Sequence, residues 1–358
     1  MESVGNRNQK GTIVTVTRSR LGVSLPMLNQ PYTKLSELAA LADEAGFDSV
    51  WDYEFFRNPF IAHALNARAT ENVKLGTGLA TAISRTPFEM ANAVADVDEL
   101  SCGRAILGLS TGAASWTDAF NGGDVSHALP RMREYIEILR LVWRHFTDGE
   151  PAHYQGQFYN FETPLINPWG VRELERPDIP IYLGCLKERM LQMAGEVADG
   201  VLTYFVTPEF ITGHVLPNIT KGAEKSGRNP AEVDVTALVL CSVSSDRKEA
   251  IRRARINVGN YAAFPVSATP IEFMGLTEDR DYVVKKLFEE GPAALETAVS
   301  DELVRRFSIV GTPDEACEQL AEYDGVLPHI VLHTPYVPPI AQADSEDAFR
   351  TMVRTFAR

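Results

Sequence analysis

The sequence predicts an α/β fold, a (β/α)8 barrel of parallel strands, and three observations carry that expectation. Short apolar, strand-like runs alternate with amphipathic, helix-like stretches along most of the 358 residues, the pattern of successive βα units. Three helix onsets share one form: Thr86-Pro87-Phe88-Glu89, Thr269-Pro270-Ile271-Glu272 and Thr312-Pro313-Asp314-Glu315. Each combines an N-cap, a proline at the first helical position and a glutamate that can complete a capping box. The length also suits one barrel with insertions, read as residues 21–358 behind a loose N-terminal extension over 1–20.

Taken in order, Leu21–Met27 is the first strand. Thr33 can cap a helix carrying Leu35, Leu38, Ala39, Ala42 and Ala45 on one face, and Gly46 ends it. Asp48–Tyr53 is the second strand, Pro59–Thr70 a helical segment, and Val73–Ala80 the third strand. Arg104–Leu109 is the fourth. The helix over Pro130–Phe146 places Met132, Ile136, Leu139, Trp143 and Phe146 at helical spacing, a core stripe. An insertion follows at about 147–178, read as a short hairpin and an irregular crossing. Ile179–Leu183, Val201–Phe205 and Val233–Val243 are strands five to seven. A second insertion, about 259–300, reads as irregular. His329–His333 closes the barrel, with a last helix near Asp347–Phe356.

The formal charge of −14 argues against a nucleic-acid backbone as partner, because such binding rests on clustered Lys and Arg. No run of about twenty apolar residues is present to span a membrane. The first twenty residues lack the apolar core of a signal peptide, so a cytoplasmic protein is expected. Cys102, Cys185, Cys241 and Cys317 are scattered and make no metal-type spacing, so no metal site is expected. Cys102 and Cys317 fall in helical patterns and Cys241 in a strand, where a small buried hydrophobe is expected. Cys185 has no histidine visibly placed to activate it.

Residues 178–203 are the most informative stretch. A buried strand opens through Gly184 onto a helix, which presents free N–H groups and the positive end of a helix dipole, a natural seat for phosphate. Lys187 and Arg189 in the first turn oppose that dipole. Either an anion explains them or they are solvated surface charges.

Several segments, in this order, resemble the luciferase-like family of (β/α)8 flavin enzymes. They are Ala45-Gly46-Phe47-Asp48-Ser49-Val50-Trp51, Val73-Lys74-Leu75-Gly76-Thr77-Gly78-Leu79, Gly103-Arg104-Ala105-Ile106-Leu107-Gly108, Gly156-Gln157-Phe158-Tyr159 and Val310-Gly311-Thr312-Pro313-Asp314-Glu315. With residues 178–203 they cover roughly 21–335. The resemblance is greatest to the branch that uses coenzyme F-420, a deazaflavin, typified by methylenetetrahydromethanopterin reductase. It implies hydride transfer between the deazaflavin and a small organic substrate, and by analogy a homodimer. A reduced-FMN monooxygenase of the same family is the alternative, and a deazaflavin-binding protein without turnover is a third reading.

The resemblance also implies site residues, at the C-terminal ends of the strands where barrel chemistry sits. Gly78-Leu79 matches the place where relatives hold a cis peptide behind the ring, with Thr81 close by. Ser110 and Thr111 follow strand four, and Gly184, Cys185, Leu186 and Lys187 form the phosphate turn. Two departures stand out. The Asp-His pair that relatives place after strand two is here Glu54-Phe55, and the acid they place after strand four is here Ala113. Glu54 is therefore the one carboxylate expected at the mouth, either exchanging a proton or anchoring the ring. Trp51, Phe55, Trp116 and His127 are candidates for the substrate pocket, against the plainer readings of core tryptophan and surface histidine. Of the remaining histidines, only His333 is expected near a catalytic strand end.

Overall fold

Eight parallel strands close on themselves: β1 (Arg20–Ser24), β2 (Ser49–Asp52), β3 (Lys74–Thr77), β4 (Ala105–Ser110), β5 (Ile181–Gly184), β6 (Gly200–Tyr204), β7 (Asp234–Val243) and β8 (His329–His333). The ring is completed by β8, which pairs with β1 on one side and β7 on the other. This computed structural model describes residues 18–26, 28–112, 126–164 and 172–358. Residues 1–17 of the expected extension, Met27, Ala113 and Trp116 lie outside them.

Period-two alternation sorts the strand residues into two layers. Val23, Val50, Leu75, Leu107, Ile181 and Val201 face outward and pack on the surrounding helices. Trp51, Ile106, Tyr182, Leu202, Leu238 and Val331 face inward and plug the barrel. Burying one such large apolar side chain contributes about 1.5–3 kcal/mol. Arg104 is also nearly buried, and its guanidinium donates to Ala67 O, Thr70 O, Thr70 Oγ1 and Val73 O at 2.8–3.0 Å. It thereby fastens the end of helix Pro59–Ala69 to β3 and β4, which gives the Gly103-Arg104 motif a structural task.

The structure corrects the sequence reading in several places. The strand expected over Val73–Ala80 breaks after Thr77, and a two-residue strand, Ala80–Thr81, resumes beside β4. The segment 259–300 is helical, with helices Ala268–Phe273, Thr277–Glu290 and Leu295–Ala298 after the long helix Arg247–Ala262. Strand Ser308–Gly311 was not expected. It pairs with Leu240–Val243, the upper part of the ten-residue β7, whose lower part belongs to the barrel. Of the three Thr-Pro onsets, Thr86 accepts from Glu89 N–H at 3.2 Å and Thr312 makes both arms of a capping box. Thr269 instead lies inside its helix, because the turn Pro265–Ser267 already brings Ser267 into helical geometry as N-cap. Thr33 likewise lies inside helix Tyr32–Glu44, which starts from Pro31. Cys102 and Cys317 are exposed rather than buried, whereas Cys185 and Cys241 are buried.

Candidate active site

Three neighbouring strands leave their inward positions bare at the C-terminal mouth. They are Gly78 just past β3, Gly108 within β4 and Gly184 at the end of β5; Leu79 covers Gly108 and Gly184, and Trp51 and Leu202 lie beside Gly78. A Cβ at Gly184 would overlap the Leu79 Cδ1 methyl, and one at Gly108 would meet Leu79 Cδ2 at 3.0 Å and overlap Thr77 O. The Gly78–Leu79 peptide is cis, as expected. Gly78 N–H donates to Asp52 O at 2.5 Å and Glu54 N–H to Leu79 O at 3.3 Å, so β2 grips both sides of that peptide. The result is a shelf of backbone and one aliphatic side chain.

Glu54 sits at the rim of this shelf. Its carboxylate takes both oxygens to Arg85 Nη1 at 2.7 and 2.8 Å and accepts Thr81 N–H at 2.8 Å. Those partners occupy the carboxylate and brace the segment after β3. Phe55 is 41% exposed and packs on Phe56 with ring centres 4.1 Å apart. Trp51 is 1% exposed, in the plug beneath the mouth, with its indole N–H on Ser49 Oγ at 2.8 Å.

Beyond β4, Ser110 Oγ accepts Gly112 N–H at 3.2 Å. Thr111 lines a small cleft with Ala82, Ala128, Arg131, Tyr135 and Tyr159. Arg131 lies over the Phe158 ring at 4.6 Å, and His127 is an exposed, left-handed N-cap whose ring is 5.6 Å from that same phenyl. The sequence reading did not single out Arg131 or Tyr135. After β5, Cys185 and Leu186 are buried and Lys187 is exposed. Burial pushes the Cys185 thiol well up, so it is no nucleophile. Lys187 is the N-cap of helix Glu188–Val197 without a side-chain cap bond, which leaves the first amides free toward the mouth.

The opposite side of the mouth differs. Helix Arg247–Ala262 returns toward the barrel and ends by delivering Tyr261. Its hydroxyl lies 2.9 Å from His333 Nε2 and 3.3 Å from the Tyr336 hydroxyl. Tyr53, just past β2, packs its ring against Tyr336 with centroids 5.6 Å apart. Burial pushes His333 down to about 3, so its imidazole is neutral at physiological pH. Sequence reasoning marked His333 by its place on the last strand. Tyr53, Tyr261 and Tyr336 went unread, because the segment holding Tyr261 looked irregular. The i, i+4 spacing of Arg253, Asn257 and Tyr261 was the available signal.

Behind β2 lies a buried polar cluster. Asp52 Oδ2 accepts from Asn66 Nδ2 at 3.0 Å and stands 3.4 Å from His63 Nδ1, while His63 Nε2 meets Gly76 O at 2.9 Å. Burial raises Asp52 to about 8 and lowers His63 to about 4. Among the described residues, no group of three His, Cys, Asp or Glu side chains is arranged to hold a metal, and no helix is long and apolar enough to cross a membrane.

The family model described as luciferase-like monooxygenase matches residues 11–329. The 5,10-methylenetetrahydromethanopterin reductase of Archaeoglobus fulgidus is 33% identical over 301 residues, covering 81% of this chain and 86% of that protein. The structure of the coenzyme F-420-dependent tetrahydromethanopterin reductase from Methanopyrus kandleri superimposes with a TM-score of 0.79 at 25% identity, over 95% of this chain and 98% of that one. A type II Baeyer–Villiger monooxygenase from Pseudomonas putida, in complex with FMN, shares the fold with a TM-score of 0.68 at 17% identity, over 95% and 98% of the two chains.

Proposed function

The chain belongs to the luciferase-like monooxygenase family, and we propose that it is a coenzyme F-420-dependent oxidoreductase that moves a hydride between the deazaflavin and a small organic molecule. The observation that carries this reading is the shelf at Gly78, Gly108 and Gly184 with Leu79 as its floor. A planar tricyclic ring needs an apolar surface without protruding side chains, and the shelf has that form. Ser110 and Thr111 would meet the polar substituents. The amides at the start of helix Glu188–Val197, with Lys187, would take the phosphate. When bound, the coenzyme supplies a two-electron hydride donor or acceptor at a ring carbon. The protein supplies orientation, exclusion of water and the proton.

In this reading Glu54 positions the ring-side loop, since Arg85 and Thr81 already hold its oxygens. Phe55 and His127 would border the substrate. The molecule is further read as a cytoplasmic homodimer without a nucleic-acid partner. Ile61 and Leu65, one turn apart on helix Pro59–Ala69, are 50% and 42% exposed and would be covered by a second copy. The net charge of −14 and the four free cysteines agree with the other two statements.

The test is to titrate purified protein into F-420 and, separately, into FMN, following fluorescence quenching. Preference for F-420 is expected. Preference for FMN would move the assignment to oxygen-dependent monooxygenation. Binding of neither would overturn both the shelf and the phosphate turn.

A further inference from the structure

The turn between β5 and helix Glu188–Val197 is gripped from outside by a histidine of the next helix. His214 Nε2 lies 3.1 Å from Leu186 O. A carbonyl oxygen only accepts, so the imidazole carries a proton on Nε2 and donates it there. The Leu186–Lys187 peptide is trans, and the C=O and N–H of a trans peptide point in opposite directions. His214 belongs to the outer ring of helices. With Leu186 O drawn outward to it, the Lys187 N–H is turned inward, to the side of the mouth.

The sequence explains how a histidine comes to stand there. After β6 the chain runs through a short helical start (Pro208–Phe210), a π turn (Ile211–Val215) and an α-helical segment (Leu216–Lys225). Pro217 has no N–H to give to Gly213 O, and its ring crowds that carbonyl, so the helix widens by one residue at this point. Leu216 N–H reaches back to Ile211 O instead. The His214 ring stacks on Phe210 with centres 4.7 Å apart, and Phe273 meets Phe210 edge-on at 5.3 Å. The His214 carbonyl accepts Asn218 Nδ2 at 2.9 Å. Asn218 Oδ1 in turn accepts Gln192 Nε2 at 3.0 Å, and the same Gln192 nitrogen donates to Glu188 Oε1 at 2.9 Å.

These bonds close a bracket around the turn, from Leu186 through His214, Asn218 and Gln192 to Glu188. Glu188 opens the helix, and Gln192 stands one turn further on. The bracket therefore draws the Glu188 carboxylate down the flank of the helix, where Lys221 Nζ lies 3.6 Å away. An acid lying over the first amides would compete with a phosphate for them. Lys187 gives those amides no side-chain cap. The turn is thus held still, cleared of its own acid and left uncapped, so that little ordering cost remains for an anion to meet. We infer that His214 is a positioning residue for the coenzyme phosphate, fixing the Leu186–Lys187 peptide with its N–H turned inward. This rests on the F-420 reading above.

The test titrates full-length protein, by fluorescence quenching, with F-420 and with its ring-and-ribityl form that lacks the phosphate. His214→Phe keeps an aromatic ring against Phe210 and loses the donor. It should weaken F-420 by about 10-fold, the worth of one well-placed hydrogen bond, and leave the phosphate-free form within about twofold. His214→Gln, whose amide nitrogen can stand where Nε2 stood, should return F-420 affinity to within about threefold of wild type. Where His214→Phe fails to fold, His214→Asn takes its place, because its amide is too short to reach Leu186 O. The phosphorus resonance of bound F-420 should also move between wild type and the donor-less variant. A loss common to both ligands would make His214 a general support of the fold and overturn the inference. Unchanged F-420 affinity, or an unmoved phosphorus resonance, would overturn it as well. Wild-type protein that binds the phosphate-free form as tightly as F-420 would overturn the phosphate turn, and the role of His214 with it, while the shelf stands. Wild-type protein that binds neither would overturn the coenzyme reading itself.

Discussion

The two sides of the barrel mouth are built from opposite materials. On the side of β3, β4 and β5, the inward positions are Gly78, Gly108 and Gly184, floored by Leu79. Toward β2, β6 and β8 they are Tyr53, Tyr204 and His333, joined by Tyr261 and Tyr336. The first side offers a flat contact and no titrating side chain. The second offers exchangeable protons and few flat surfaces. The difference teaches how one barrel mouth can be divided: in the proposed function a planar group would lie where side chains have been removed, while the other side is filled by hydroxyls brought in from distant parts of the chain.

The sharpest way to break this comparison is to give the bare side a side chain. In Gly184→Val the new branch would occupy the space of the Leu79 Cδ1 methyl and drive that leucine up into the mouth. F-420 affinity should fall by about 100-fold, with a stability loss of about 1–3 kcal/mol from overpacking. Fluorescence titration and thermal denaturation read the two effects separately. Affinity within threefold of wild type would mean that the ring does not lie on this shelf.

A second, smaller effect asks which side answers to pH. Asp52 ionises near 3.9 in an unfolded chain but near 8 in the fold. Between those values the folded state holds the extra proton, so this group makes stability fall as pH rises from about 4 to 8. His63 runs the other way. Its value of about 4 in the fold, against about 6.5 unfolded, gives stability above pH 6.5 that is lost as pH falls toward 4. Asp52→Asn removes the first contribution only. Its stability relative to wild type should therefore rise between pH 5 and 8, by about 1–2 kcal/mol, since His63 at 3.4 Å can share the proton and cap the penalty. Denaturant melts across that range measure it, and a relative stability that is flat or falls with pH would refute the buried, protonated Asp52. F-420 affinity should stay flat over the same interval, because the shelf itself carries no titrating side chain.

The sequence revealed these regions unequally, for physical reasons. The barrel was legible because each of its strands is a short apolar run; Gly78-Leu79 came through the family resemblance and Gly184 through its strand-to-helix turn, whereas Gly108, inside β4, went unread. Helix Thr277–Glu290 was not, since Val283 is its fully buried residue and no apolar stripe repeats along it. Strand Ser308–Gly311 was hidden because helix Asp301–Phe307 runs straight into it, with no turn residue between Phe307 and Ser308 to mark the change. The tyrosine line was illegible in a deeper sense. Tyr53, Tyr261 and Tyr336 lie more than two hundred residues apart at the extremes, and each is an ordinary strand-end or helix-end tyrosine until the fold brings the Tyr261 and Tyr336 hydroxyls together and sets the Tyr53 ring against Tyr336.

The smallest effect probes the margin of the bare side, where the phosphate turn meets solvent. Lys187 is exposed, and its charge works through water against the dipole of its own helix. The backbone amides that begin helix Glu188–Val197 survive any change of its side chain, and in the proposed function they would carry the larger share of anion binding. Lys187→Ala should therefore weaken F-420 by about threefold at low salt, in keeping with an exposed ion pair. At 1 M salt the Debye length drops to about 3 Å, and the difference between variant and wild type should vanish. A loss of 100-fold, or one that persists at high salt, would mean that Lys187 grips the phosphate in a desolvated contact. The bare side would then hold its ligand by charge as much as by shape, and its contrast with the hydroxyl-rich side would have to be redrawn.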